Sequence, residues 1–344
     1  MGRKVQHNII VTPELLAQVN PENIELGKDF IDYLRSIDRA SSTLDAYAND
    51  LNIFWVYLVQ HCNNKFFIDL SKREIAKYQS HCLTEWKWSP ARMRRVKSTL
   101  SSLSNYVEAI LDDEYENFRP IIRKIENPVN EKVMTKTVFE ESQLNKLLNT
   151  LVEKGRYDQA CMLSLAINSG RRKSELPRFK VSYFDDENII YGSLYKTPEQ
   201  VKTKGRGSRG KMLTLYVLVK SFKPYFDLWM NYRKENGIES EWLFPKKVGG
   251  QYIDEPMEPT TLDSWADTFT NIIGVDFYWH SLRHFFTSQC SRSGLPDDVI
   301  QMLIGWNSLD MVSVYKDISA DEQFEKYFAN GEIVKQEQKS LSDL

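Results

Sequence analysis

Residues Leu303–Asp317 read LIGWNSLDMVSVYKD, and the work assigned to Tyr315 decides how the fold and the chemistry of the whole chain are understood. The tyrosine stands nine residues beyond a Gly305-Trp306 pair. On its own it could pack, face solvent or attack as a nucleophile, and an isolated tyrosine is nearly always structural. The rest of the chain has to discriminate.

A chain of 344 residues exceeds the span of one hydrophobic core, so two domains are expected. With 42% hydrophobic and 27% charged residues, and no apolar run near the ~18 residues a membrane span needs, the composition is that of a soluble globular protein. The opening MGRKVQHNIIVTPELL lacks a secretory signal, which points to a cytoplasmic protein, nucleoid-associated in a bacterial host. Cys62, Cys82, Cys161 and Cys290 are scattered, as suits reduced thiols. His61-Cys62 and His81-Cys82 suggest zinc ligands, but neighbouring side chains on a helix diverge by about 100°, so part-buried side chains are the better reading and no metal is assigned. A net charge of −2 speaks weakly against nucleic acid, but distribution matters more. Lys196, Lys202, Lys204, Arg206, Arg209 and Lys211 crowd one stretch and Arg92, Arg94, Arg95 and Lys97 another, while acids gather in the tail. Basic faces can therefore exist on a nearly neutral protein.

SSTLDAYANDLNIFWVYLVQ places Leu44, Tyr47, Leu51, Phe54, Trp55 and Leu58 at helical spacing. SPARMRRVKSTLSSLSNYVEAIL adds a Ser89 cap, Pro90 at the first helical position and a stripe of Met93, Val96, Leu100, Leu103 and Val107, leaving Arg92, Arg95, Thr99 and Ser102 on another face. For such a face alone, solvation is the plainer reading. Weaker helices near Asn23–Ile37 and Leu70–Thr84 complete a small helical domain, 23–111, after a leader, 1–22. Residues 112–137, with Pro120 and Pro128, lose periodicity and form a connection. The second domain, 138–344, is helical over Phe139–Leu151, Gln159–Asn168, SFKPYFDLWMNYRKEN, Thr260–Ile273, His280–Arg292 and Pro296–Ile304. Strand-like residues at Asn188–Tyr195 and Lys211–Val219 flank the basic turn TKGRGSRGK as a hairpin. The expected class is mainly α: a small helical domain joined to a mixed α/β domain with a small antiparallel sheet.

Four elements carry chemistry: SGRRKSEL, the turn with Lys204, HSLRHFF, and the Gly-Trp pair followed by Tyr315. Each alone is weak. Their order and spacing together resemble the tyrosine recombinases of the phage-integrase family, over roughly residues 23–330. SGRRKSEL resembles the first arginine motif and implies Arg172 with Glu175 at the acidic position. HSLRH implies His280 and Arg283, with His284 supporting, and LIGW with Tyr315 reproduces the spacing to the nucleophile. Thr43–Leu51 resembles the family's core-binding domain. Trp306 stands where members more often have His; indole donates one hydrogen bond and cannot shuttle a proton, so it serves as a phosphate donor and packs beneath the site. Lys204 is the implied catalytic lysine, with Lys202 the alternative.

The chemistry fits the residue types. A phosphodiester under attack gathers negative charge, and a site without metal answers it with fixed cations and donors. Arg172 and Arg283 present planar charged forks. His280 adds a donor or handles the phenol proton, and Lys204 protonates the departing sugar oxygen. A phenol titrates ordinarily at about 10, and neighbouring arginines favour its ionisation. Glu175 orients arginine or histidine from behind.

The resemblance further implies two domains on double-stranded DNA, a homotetramer joining two sites, 3′-phosphotyrosyl intermediates, no metal or ATP cofactor, and a bending or directionality factor in some systems. Arg92, Arg95, Lys97, Lys202, Arg206 and Arg209 are the expected DNA-binding residues; whether the first group reads bases or positions phosphates stays open. A tail helix with Phe324, Tyr327 and Phe328 would dock on a neighbouring protomer. No arm-binding domain is expected before residue 23. The rivals are a type IB topoisomerase or telomere resolvase, and an inactive DNA-binding accessory protein. A metal-dependent nuclease is disfavoured, because Glu175, Asp185, Asp186 and Glu187 form no recognisable set.

Overall fold

The computed structural model describes residues 10–129, 138–205, 207, 210–319, 322, 328–329 and 332–333. They fall into two compact units, each with its own core.

The helical unit holds α1 (Pro13–Leu16), α2 (Pro21–Ser36), α3 (Ser41–His61), α4 (Lys72–Thr84) and α5 (Pro90–Ile110). Ser71 and Glu74 form a reciprocal capping box at the start of α4, and Ser89 caps α5 ahead of Pro90. The apolar stripes of these helices meet in a core that includes Phe30, Phe54, Trp55, Tyr78, Val96 and Leu103.

The unit is wider than 23–111. Val19 is buried in its core, and Asn64 bonds the Asn20 N–H and the Gln18 carbonyl, so the leader packs from residue 10 onward. Ile122, in a single helical turn at Ile122–Lys124, is buried against the same core, so the expected connection packs there to about residue 125. Period is lost in both stretches because single anchors, not continuous faces, hold them. His61 and His81 are neighbours, with ring centroids 4.6 Å apart, in an aromatic cluster with Tyr57 and Trp86. Burial pushes the Cys82 thiol up to about 12.

The second unit begins with α6 (Glu141–Glu153) and α7 (Tyr157–Ser169), followed by β1 (Ile189–Ile190), β2 (Leu194–Lys196), β3 (Val201–Thr203), β4 (Lys211–Leu213) and β5 (Tyr216–Leu218). After α8 (Val219–Glu235) come β6 (Pro245–Val248), β7 (Gln251–Pro256), α9 (Thr261–Ile273), α10 (Trp279–Arg292), α11 (Asp297–Ile304) and α12 (Asp310–Tyr315). The antiparallel order β1-β2-β5 makes a three-stranded sheet, and β3 pairs β4 with Thr203 opposite Lys211, so the basic turn does cap a hairpin. The β6–β7 hairpin is absent from the sequence reading because PKKVGGQYIDEP is largely exposed and lacks alternation. The core gathers α6–α9 and the start of α10, with Leu147, Leu163, Phe222, Trp229 and Phe269 fully interior. Of the expected tail helix, Phe328 lies instead in a two-residue strand, Phe328–Ala329, paired with Glu332–Ile333; Phe324 and Tyr327 lie outside the described residues. Among the described residues no helix is long and apolar enough to cross a membrane.

Candidate active site

The site is built at the ends of four helices of the second unit, α7, α10, α11 and α12. Helix α7 stops at Gly170, whose φ of +59° is left-handed; a Cβ there would also meet Phe286 Cδ1 at 2.5 Å. Glycine at this position lets the chain reverse so that successive arginines part company. Arg171 turns inward, 1% exposed. Arg172 turns toward a cleft of about 490 Å³ that it shares with Lys173, Ser174, Lys204, His280 and Tyr315. Glu175, 1% exposed, holds Arg172 from behind: its carboxylate accepts the Arg172 amide at 3.1 Å and Nη1 at 3.0 Å. Burial raises the Glu175 pKa, but the Arg172 amide and the Arg171 and Arg172 charges outweigh it and leave the carboxyl below its ordinary value.

Helix α10 starts where Trp279 Nε1 bonds the Leu262 carbonyl at 2.6 Å. Spacing of three and four then puts His280, Arg283 and His284 on one face. Arg283 is 1% exposed and donates Nη1 to the Gly170 carbonyl at 2.9 Å. Its Nε and Nη2 are buried without a hydrogen-bond partner among the described residues. Desolvation chiefly, then the Arg172 and Arg171 charges, push this guanidinium down to about 9. Two unused donors on a buried cation are costly unless an anion arrives to take them.

The third wall is the turn after α11. Gly305 has φ +76°, and a Cβ there would lie 2.7 Å from Leu213 Cδ1. Lys211 Nζ reaches the Gly305 carbonyl at 3.2 Å and also bonds Asn307. Trp306 is buried with Nε1 unpartnered among the described residues; its ring lies 4.8 Å from the Arg283 guanidinium and 4.9 Å from the Tyr315 ring. Tyr315 closes α12, and its hydroxyl lies 2.9 Å from His280 Nε2. His284 packs on the same tyrosine at 4.5 Å, with Nδ1 3.0 Å from Asp317 Oδ2. The Asp317 amide donates to Ser288 Oγ at 2.8 Å, so the residues following Tyr315 are pinned to α10.

The structure thus brings Arg172, Glu175, Lys204, His280, Arg283, His284, Trp306 and Tyr315 together in one unit. Lys204 lines the cleft, whereas Lys202 is exposed on β3, its carbonyl taken by Arg178 Nη1 at 2.5 Å. Arg171 and Lys211 are additions; SGRR alone does not say which arginine faces inward.

Two residues expected to contact DNA are engaged within the helical unit. Arg95, its side chain half exposed, makes a bidentate pair with buried Asp50 at 2.7 and 2.8 Å. Lys97 is buried and donates to the Ile125 carbonyl, with burial lowering its pKa. Arg92 remains exposed, its guanidinium 4.1 Å over the Trp88 ring. Arg206 and Arg209 lie outside the described residues.

Residues 137–322 match the phage integrase family, and residues 26–117 match the phage integrase N-terminal SAM-like domain. The chain belongs to the phage integrase family. Family membership makes it a site-specific enzyme of DNA cleavage and rejoining, a tyrosine recombinase. It is 29% identical over 288 residues to the SPbeta prophage-derived recombinase-like protein YomM of Bacillus subtilis (strain 168), covering 81% of this chain and 80% of that one. A tyrosine recombinase of Thermosipho africanus (strain TCF52B) is 25% identical over 309 residues, 86% and 96% of the two chains. The fold is also that of lambda integrase, solved as a tetramer bound to a Holliday junction, with a TM-score of 0.62 at 17% identity over 86% of this chain and 77% of that one.

Proposed function

We propose that Tyr315 attacks the scissile phosphorus of double-stranded DNA, forming a 3′-phosphotyrosyl link as the bond to the 5′ oxygen breaks. Arg172 and Arg283 hold the non-bridging oxygens, with Trp306 Nε1 as a further donor. His280 Nε2 receives the phenol proton and Lys204 protonates the departing 5′ oxygen. The link conserves the energy of the broken strand, so a 5′ hydroxyl from another duplex reverses the step and completes recombination. The observation that carries this reading is the 2.9 Å approach of the Tyr315 hydroxyl to His280 in a cleft shared with Arg172 and Lys204.

The tetramer reported for lambda integrase supports a homotetramer of this chain on DNA, with integration, excision or resolution chosen by the paired sites and by a bending or directionality factor. Its place of action is then the cytoplasm, at the nucleoid in a bacterial host. Tyr315→Phe is the test. The variant is expected to bind duplex DNA and form no covalent adduct; an adduct at wild-type yield would remove Tyr315 from the reaction. Product strands drawn from a single duplex would favour a topoisomerase.

A further inference from the structure

Arg171 has no part in the chemistry above, yet it is among the largest fully interior side chains. Taking a guanidinium out of water costs several kcal/mol, and an apolar side chain would fill the same space without that cost. What the arginine makes there is specific. Its Nε donates to the Ser169 carbonyl at 3.2 Å, at the end of α7, and its Nη2 donates to the Leu303 carbonyl at 2.6 Å, at the end of α11. One planar fork therefore links the end of α7 to the end of α11, where Leu303 lies 132 residues beyond Arg171 in sequence. Both ends matter. The first leads directly into Arg172, and the second leads through Gly305 and Trp306 to Tyr315.

Helix C-terminal carbonyls lack intrahelical partners and form the negative end of the helix dipole, so a cation is the natural cap. Lys211 supplies a second one on the Gly305 carbonyl. Burial pushes the Arg171 guanidinium down to about 10, against the opposing charge of Glu175.

We propose that Arg171 is a positioning residue for strand cleavage: from behind the site it sets the separation between the Arg172 turn and the Trp306–Tyr315 segment. This rests on Tyr315 being the nucleophile. Reacting groups must meet the phosphorus in line, and a misplacement of about 1 Å from a change outside the chemistry can cost roughly 10²-fold in rate. Arg171 faces carbonyls and not the cleft, so its loss should leave DNA affinity alone.

The experiment uses the full chain and a nicked duplex selected from a random-sequence pool by covalent capture with the wild-type protein. Wild type must form the adduct and Tyr315→Phe must not; an adduct from the latter would sink the nucleophile assignment, separately from anything learned about Arg171. Against that control, Arg171→Met is expected to bind the duplex within about twofold of wild type and cleave roughly 10–100-fold more slowly in single turnover, at a temperature where circular dichroism shows it folded. Arg171→Lys keeps the charge but reaches one carbonyl in place of two, so about 3–10-fold slower cleavage is expected, a partial rescue that simple filling of volume would not give. Wild-type cleavage by Arg171→Met overturns the proposal, as does a loss of affinity that matches the loss of rate. Should Arg171→Met fail to fold, wild-type cleavage by Arg171→Lys overturns it equally.

Discussion

Replacing Arg95 by alanine distinguishes a structural pair from a DNA contact. The Asp50 side chain is 1% exposed while that of Arg95 is 52% exposed. The carboxylate receives Arg95 Nη2 at 2.7 Å, Arg95 Nη1 at 2.8 Å and the Thr99 hydroxyl at 2.9 Å. Removing one partner of a buried pair costs about 3–5 kcal/mol, because the other charge stays desolvated. Here the arginine end is half in water, where screening weakens the attraction, and Thr99 remains bonded, so a loss of about 2–3 kcal/mol is expected. At roughly 4 °C per kcal/mol for a unit of this size, Tm of the helical unit should fall by about 8–12 °C. Pairing Arg95→Met with Asp50→Leu removes both charges and should recover most of the loss. Thermal unfolding by circular dichroism gives the first quantity. The salt dependence of DNA affinity gives the second: a lost phosphate contact lowers the slope of log K against log salt by about 1, and Arg95→Ala should leave it unchanged. An unchanged Tm with a lowered slope would refute the reasoning and return Arg95 to the DNA surface.

Further outcomes follow from the site. Glu175→Gln removes the charge and one of the two acceptor oxygens that hold the Arg172 amide and Nη1, and cleavage should slow by roughly 10–100-fold, the range typical when a group orienting a functional side chain is lost. Because the Glu175 pKa is depressed on folding, its stabilisation is complete above the ordinary carboxylate value of about 4.3 and disappears as pH falls through the lower folded value. The Tm difference between wild type and Glu175→Gln should therefore be flat above pH ~5 and shrink below it; a difference that grows on acidification would contradict this. Gly170→Ala must adopt φ +59° with its Cβ against Phe286. Strain of about 1–2 kcal/mol and overpacking of about 1–3 should appear together in urea unfolding, with slowed cleavage because the Gly170 carbonyl anchors Arg283.

Much of the helical framework was legible because apolar side chains recur at helical spacing and caps mark the starts, as at Ser89-Pro90. The motif residues were legible too, since Arg172, His280, Arg283 and Tyr315 stand at recognisable spacings. The short β6–β7 hairpin carried no such pattern. Charge counting, by contrast, misled. Arg92, Arg95 and Lys97 read as one basic cluster, yet a helix turns about 100° per residue, which sends Lys97 into the interior, while Arg92 and Arg95 share an exposed face on which Arg95 is paired with Asp50.

The chain's linear order alone determines which helices form, which residue types can hold a phosphate, and that a tyrosine follows the Gly-Trp pair at the family's distance. Local propensity and spacing suffice for that. Only the tertiary structure decides that Arg171 lies beneath the site while Arg172 faces the cleft, that Arg283 keeps two donors unspent, and that Lys211 and Arg171 fasten the turn carrying Trp306. Those choices depend on where the ends of α7, α10 and α11 meet, and on which buried carbonyls are left needing a donor there.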